Sequence, residues 1–302
     1  MKPYFVALAC LTLLGCASFV RPPPTPTGDL ECAGAAGVRP TVVLEAGAFG
    51  GAADWSLVAE SLARKGYRAC AYDRDGLGLS TMHDVDRSPT AVATRLHDLL
   101  DRNGVTGPVI LAGHSNGGLY VEAFARRWPE RTAGLVLVDA VGTDVRDHPL
   151  ALADLEHEAR LAAFTPTARA LGLTRLAPLM DDISPAAEAA ARRRSTWTGR
   201  TSIQAGLAEV RAFLPGLAEV DALPPLRPTI PVAVIVASRT PAAPLDRDWR
   251  AAEVAPANRA CRAVVIDAFA SHTSILDAQR DYVVDAVAWL DGAQPWAGVK
   301  RC

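Results

Sequence analysis

The sequence has almost no net charge. Its 31 basic side chains nearly balance 33 acidic ones, for a formal net charge of -2, which excludes the basic footprint of a nucleic-acid-binding surface and bulk attraction to an anionic membrane. The spacings that announce bound groups are missing too: there is no His-Glu-x-x-His run, no Walker loop and no Rossmann glycine fingerprint. Neither a metal nor an organic cofactor is therefore expected. No internal repeat is visible, and no segment reads as a second independent domain. What the chain has in quantity is apolar residue, 50% of 302 positions against 21% charged, enough for one large buried core with an insertion.

The N-terminus reads as an export signal rather than as part of the fold. Met1-Lys2 gives a minimal positive start, Pro3 to Leu14 an apolar stretch, and Leu13-Leu14-Gly15-Cys16 follows, which sets residues 1–20 apart. Leu-Leu-Gly-Cys resembles the bacterial lipobox, whose cleavage before the cysteine would leave Cys16 to carry a lipid. A plain secretory peptide and an uncleaved anchor are the alternatives, since the apolar run to Val20 approaches the roughly 17-residue lower limit for a span. Each of the three places the chain outside the cytosol and confines membrane association to this end. Residues 21–29, with prolines at 22, 23, 24 and 26, are expected to form an extended tether. Export leaves Cys32, Cys70, Cys261 and Cys302 in an oxidising compartment, because Cys10 departs with the signal and Cys16 takes the lipid. Of three possible pairings, Cys32 with Cys70 and Cys261 with Cys302 are expected. The first would join neighbouring strands, and the second would pin the C-terminal tail.

Beyond the tether, short apolar runs alternate with longer helical patterns, the signature of a mostly parallel sheet covered by helices. Expected strands are Thr41 to Glu45, Tyr67 to Tyr72, Val109 to Ala112, Leu135 to Val138, Val232 to Ala237 and Ala263 to Ile266. Expected helices are Trp55 to Lys65, stopping at Gly66; Ser88-Pro89 to about Asn103, with Ser88 as N-cap; one from Ser115 to before Pro129; and Arg280 to Leu290, closed by Gly292. Residues 141–228 break this rhythm. They show helical periodicity at Leu150 to Phe164 and Pro185 to Arg194 and no convincing strand, so they read as a helical cap set into a core of residues 30–140 and 229–302.

The segment that carries chemistry is the apolar strand Pro108-Val109-Ile110-Leu111-Ala112 running into Gly113-His114-Ser115-Asn116-Gly117 and then into a helical pattern. Gly-x-Ser-x-Gly between a strand and a helix is the setting of a nucleophile elbow. The serine must adopt a strained backbone, glycines must leave room around it, and a helix N-terminus beneath favours negative charge. In this context the chain resembles the α/β-hydrolase superfamily from about Leu30 to Leu290. Three further runs carry the resemblance. Thr41 to Gly51 stands where relatives have the oxyanion loop, with Ala46 in place of their histidine. Ala71-Tyr72-Asp73-Arg74-Asp75-Gly76-Leu77-Gly78-Leu79-Ser80 is similar to the YDRxGxGxS run, and Gly134 to Ala140 to the strand after the nucleophile helix.

The resemblance implies an α/β-hydrolase fold with Ser115 as nucleophile. The backbone N–H groups of Asn116 and Ala48 would form the oxyanion hole, or Phe49 if the loop is shifted by one. His272, in Ala270-Ser271-His272-Thr273-Ser274 between the last strand and the last helix, would be the general base. His114 reads as structural, and His83, His97, His148 and His157 as surface residues. The acid departs from the common pattern. Val236-Ala237-Ser238-Arg239-Thr240-Pro241 offers no carboxylate, which leaves Asp139, the expected acid, or Asp246 and Asp248 further on. The reaction these residues point to is hydrolysis of a small-molecule carboxylic ester through an acyl-enzyme. A peptidase or perhydrolase of the same fold, and a non-catalytic binding protein, are the alternatives.

Overall fold

The structure is a computed structural model that describes residues 30–176, 192–193, 198–237, 243–292, 298–300 and 302. Its centre is an eight-stranded sheet in the order β1-β3-β2-β4-β5-β6-β7-β8. Six strands run parallel: β2 (Val42–Glu45), β3 (Ala69–Ala71), β4 (Val109–His114), β5 (Thr132–Val138), β6 (Val232–Ala237) and β7 (Arg262–Ala268). Except for β7, where Val265 and Asp267 are exposed, they are nearly continuous apolar runs because helices cover both faces, so the side chains of either parity are buried. In β4, Val109 and Leu111 enter one core while Ile110 and Ala112 enter the other, and all four are at most 1% exposed. Each fully buried branched side chain here contributes on the order of 1.5–3 kcal/mol relative to exposure.

Helices α1 (Ser56–Arg64) and α8 (Asp281–Leu290) cover one face, through Val58 and Leu62 on the first and Val283, Val284 and Val287 on the second. Helices α2 (Pro89–Arg102) and α3 (Gly117–Arg127) cover the other. Between β5 and β6 the chain forms α4 (Pro149–Ala162), α5 (Thr165–Ala170) and α6 (Arg200–Asp221), with no strand among the described residues. This is the helical cap. Most of the expected helix at Pro185 to Arg194 lies outside the described residues. Helix α7 (Pro244–Arg259) then leads into β7.

Three details differ from expectation. Two antiparallel edge strands were not anticipated, β1 (Glu31–Ala33) beside β3 and β8 (Val299–Lys300) beside β7. Both are too short to carry a pattern, and both lie beside disulfides. Cys32 faces Cys70 directly across the β1–β3 ladder, with Cα atoms 4.0 Å apart, and Cys261 is joined to Cys302. Each closes a loop of about 40 residues, worth on the order of 4 kcal/mol through the unfolded chain. Helices α6 and α7 were also missed, because Pro215 and Pro256 lie inside them. Finally, Ser88 sits at the N-cap of α2 without capping it, its hydroxyl donating to Asp86 Oδ2 at 3.2 Å instead.

Candidate active site

Ser115 stands between β4 and α3 with φ +53, a left-handed conformation that a non-glycine residue holds only when its surroundings enforce it. The enforcement is visible. The Ser115 N–H donates to Val138 O at 3.2 Å, and the Ser115 carbonyl accepts from Gly118 N–H at 2.9 Å and Val141 N–H at 3.0 Å. The glycines at 113 and 117 are needed for space. A Cβ at Gly117 would lie 2.5 Å from the Glu45 carbonyl oxygen, and one at Gly113 2.6 Å from the Gly117 carbonyl oxygen. The turn therefore holds the serine at the carboxyl end of the sheet, above the N-terminus of α3.

His272 lies in the loop between β7 and α8, and its Nδ1–H donates to Asp139 Oδ2 at 2.5 Å. The second oxygen of Asp139 accepts from Ala237 N–H at 2.8 Å. Asp139 follows β5 with φ +44, and its own N–H donates to Ile235 O at 2.7 Å. The two other carboxylates considered from sequence are used elsewhere. Asp246 accepts from Ala243 N–H in the first turn of α7. Asp248 takes the N–H groups of Leu150 and Ala151 and the His148 ring, and the Ala151 bond first among these holds its carboxyl below the usual range. Ser115, Asn116, Asp139 and His272 all line one cavity of about 400 Å³, floored by the sheet and walled by α4 and α7.

His114 is buried behind this group. Its Nε2–H donates to the His272 carbonyl at 2.7 Å, and the two rings lie 4.5 Å apart. Burial, and then the neighbouring His272, push its pKa down to about 3, so it is a neutral donor that anchors the His272 loop. On the opposite side, the loop after β2 brings Gly47 against Ser115, where an added Cβ would lie 2.9 Å from the serine Cβ. The N–H groups of Ala48 and Asn116 meet no acceptor among the described residues. Asn116 lines the cavity, whereas Ala48 lies one residue beyond Gly47 and does not line it.

Sequence reasoning missed what holds that loop. Arg74, 5% exposed, donates to the carbonyls of Ala46 and Gly47 at 2.8 Å each, to Glu45 Oε1 at 2.7 Å, and through Nε and Nη2 to Glu209 at 2.9 and 2.8 Å. Tyr72 completes the cluster by donating to Glu45 Oε2 at 2.5 Å. Glu209 belongs to α6, so one guanidinium ties the cap to the loop after β2. The same helix presses on Phe49, since a Cβ at Gly206 would lie 2.1 Å from its ring. Phe49 has φ +58, a third non-glycine residue held left-handed, with Ser115 and Asp139.

A family profile described as serine aminopeptidase, S33 matches residues 37–269. The chain belongs to that family. It is an α/β hydrolase, as the four sequence runs implied. Among curated relatives, Lipase 3 of Moraxella sp. is 34% identical over 96 residues, 31% of this chain and 30% of the lipase. The chain spans about half or less of the length of the curated relatives it matches. Among solved structures, a thermophilic esterase from Thermogutta terrifontis superposes with TM-score 0.59 at 22% identity, covering 88% of this chain and 93% of the esterase. The epoxide hydrolase CorEH gives TM-score 0.62 at 20% identity, covering 86% and 93%. Identities this low speak for the fold alone.

Within this S33 hydrolase the cavity is rich in carboxylates. Besides Asp139 it is lined by Asp154 and Glu158 from α4 and by Asp246 and Glu253 from α7, against the guanidinium of Arg250 and the His272 ring. Arg250 is itself drawn to Asp267, and Asp154 accepts from Trp249 Nε1–H at 3.0 Å. Burial, then the nearby Asp154, raises the Glu158 pKa. The sequence carried a faint signal of this wall. Asp246, Trp249, Arg250 and Glu253 recur at helical spacing behind Pro244, a favoured first-turn residue.

Proposed function

We propose that this chain is a serine hydrolase that cleaves a carboxylic ester, with Ser115 as nucleophile, His272 as general base and Asp139 as the acid that orients it. The observation that carries this reading is the 2.5 Å bond from His272 Nδ1–H to Asp139, in the cavity that also exposes a strained Ser115. That bond puts the proton on Nδ1 and leaves Nε2 to accept the serine proton. Ser115 Oγ attacks the ester carbonyl, and the N–H groups of Asn116 and Ala48 take the developing oxyanion. The alkoxide leaves with the proton from His272, and water activated by the same base releases the acid. The ester assignment is supported by the likeness to a lipase over a third of the chain. Fluorophosphonate labelling tests it. Wild type should label at Ser115 and hydrolyse p-nitrophenyl esters of some acyl length, Ser115→Ala should do neither, and an unlabelled wild type would refute the reading.

A second reading is favoured by the carboxylates at positions 154, 158, 246 and 253. They would suit a substrate with a free ammonium group, as in an aminopeptidase, and turnover of aminoacyl anilides in preference to neutral esters would select it. We also propose that the chain is exported, with Cys16 lipidated. The two disulfides fit an oxidising compartment, and among the described residues no helix is long and apolar enough to cross a membrane. Metabolic labelling with an alkynyl fatty acid, lost in Cys16→Ala, would test the lipid.

A further inference from the structure

We propose that the cap helix α6 positions the oxyanion site: acting through Phe49 and Arg74, it sets the turn after β2 and with it the N–H of Ala48. The role rests on the reading of Ser115 as nucleophile and Ala48 as a donor to the oxyanion. Residues 47–50 form a tight turn closed by Gly50 N–H donating to Gly47 O at 3.1 Å. Ala48 and Phe49 occupy its two central positions, so the turn itself leaves the Ala48 N–H unused. Phe49 has φ +58 at the third position, where turns of positive φ favour glycine. A phenylalanine stays there only when its surroundings over-determine it.

Helix α6 supplies that constraint. Phe49 is buried with Ile203 and Leu207, and Ala48 and Val210 pack on the same cluster. Gly206 lets the helix come this close, since a Cβ there would fall 2.1 Å from the Phe49 Cδ1 and 2.5 Å from its Cε1. Three residues on, on the same side of the helix, Glu209 accepts from the Arg74 guanidinium at 2.9 and 2.8 Å. Arg74 donates in turn to the Ala46 and Gly47 carbonyls at 2.8 Å each. Past the turn, Asp73 Oδ1 accepts from Ala52 N–H at 2.8 Å. The two flanks of the turn are thus held from the run after β3, and its tip is held from α6. Because Gly47 lies against Ser115, displacement of the tip acts beside the serine.

The route is indirect. Among the described residues, none of α6 lines the cavity of Ser115, and neither Phe49 nor Arg74 does. A change at position 206 or 209 therefore reaches the chemistry only through the turn. Carbon contacts are optimal near about 3.5–4.0 Å, so a methyl added at Gly206 would drive the Phe49 ring back by more than about 1 Å. A misplacement of that size can cost about 10²-fold, as can the loss of one oxyanion donor. An interaction made only in the transition state lowers kcat and kcat/KM together and leaves KM alone.

The test compares the full chain as wild type, Gly206→Ala, Gly206→Ala combined with Phe49→Leu, and Glu209→Gln. Each is measured on the best ester found and with a trifluoromethyl ketone, which forms a tetrahedral adduct with a reactive serine. Gly206→Ala should lower kcat by about 10²-fold at nearly constant KM and weaken the ketone by the same factor. Trimming the ring in the double variant should recover most of that loss. Glu209→Gln, which keeps its shape and one acceptor, should show a smaller loss of the same kind. Amide hydrogen exchange at residues 46–50 should quicken in both single variants. A raised KM with unchanged kcat, the signature of a disturbed pocket wall, would overturn the proposal, as would exchange and kcat both equal to wild type. If wild type itself neither turns over nor binds the ketone, the reading of Ser115 fails and the oxyanion role with it, while the exchange data still decide whether α6 holds the turn. If Gly206→Ala does not fold, Glu209→Gln decides by the same kcat, KM and exchange measurements.

Discussion

Asp139→Asn is the sharpest perturbation of the proposed mechanism, because the structure dictates how the new amide must sit. Asp139 accepts from two N–H groups at once, Ala237 N at 2.8 Å and His272 Nδ1 at 2.5 Å. Asparagine has one carbonyl oxygen and one NH2. If the oxygen stays on His272, the NH2 confronts the Ala237 N–H and leaves a part-buried donor unmet, at a cost of about 1–3 kcal/mol. If the amide flips, Ala237 keeps its acceptor and the NH2 donates to Nδ1. The flipped form is then favoured by about 5- to 150-fold. It forces the imidazole proton onto Nε2, the nitrogen that must accept from Ser115, so His272 can no longer act as base. The expected loss of turnover is about 10⁴-fold, with residual rate from oxyanion stabilisation and binding alone. Steady-state hydrolysis of the best ester found, with thermal denaturation to show that the variant is folded, measures it. Asp246→Asn should stay within a few-fold of wild type on a neutral ester, since that carboxylate lines the cavity and accepts from Ala243 N–H while the His272 ring is bound to Asp139. The reasoning fails if Asp139→Asn retains most activity, or if Asp246→Asn is the damaging change.

Two further outcomes follow from buried groups. His114 has a folded pKa of about 3 against about 6.5 unfolded, so between these values the unfolded chain binds a proton that the native state refuses. Its contribution to stability is complete above about pH 6.5 and is lost as pH falls; at pH 5 the loss is about 2 kcal/mol, and urea titrations should show that much less acid sensitivity in His114→Gln than in wild type. Glu209→Ala would strand Arg74 with one carboxylate partner in a dry site, costing on the order of 3–5 kcal/mol and loosening the oxyanion loop. A loss below about 1 kcal/mol with unchanged ester turnover would mean that the cap docks by apolar contact alone.

What could be read from the sequence, and what could not, divides along physical lines. The six parallel strands were legible because strands buried on both faces must be apolar at every position, as Val109 to Ala112 and Val232 to Ala237 are. The candidate site was legible where chemistry fixes local spacing: Gly113, Ser115 and Gly117 around one turn, His272 between strand and helix, Asp139 at a strand end. Short edge strands were invisible, since Glu31–Ala33 is held by one cross-strand disulfide rather than by any pattern of its own. Helix α6 was hidden by Pro215 and Gly206, which break the local signal while the tertiary contact with Phe49 requires the small residue. The polar supports were hidden for another reason. Arg74 and Glu209 are 135 positions apart, so only the folded chain brings their charges together.

The location of the proposed acid and the rigidity of the turn at Ser115 are one structural solution. The Ser115 N–H is held by Val138, the residue before Asp139, and the Ser115 carbonyl by Val141, two residues after it. Ser115 and Asp139 thus share a closed set of backbone hydrogen bonds, and both sit in the left-handed region, at φ +53 and +44. An acid on the loop after β6 would lack this coupling, because motion of that loop would move the carboxylate without moving the serine. Here any displacement of Asp139 that breaks the bonds at 138 or 141 also relaxes the strained serine. The chain leaves β5 through this turn directly into the cap, at Gly142 and Thr143, where Glu122 of α3 accepts from Thr143 N–H at 3.0 Å and from its hydroxyl at 2.9 Å. The root of the cap is therefore anchored to α3, and the cap, Asp139 and Ser115 are positioned by the same few hydrogen bonds.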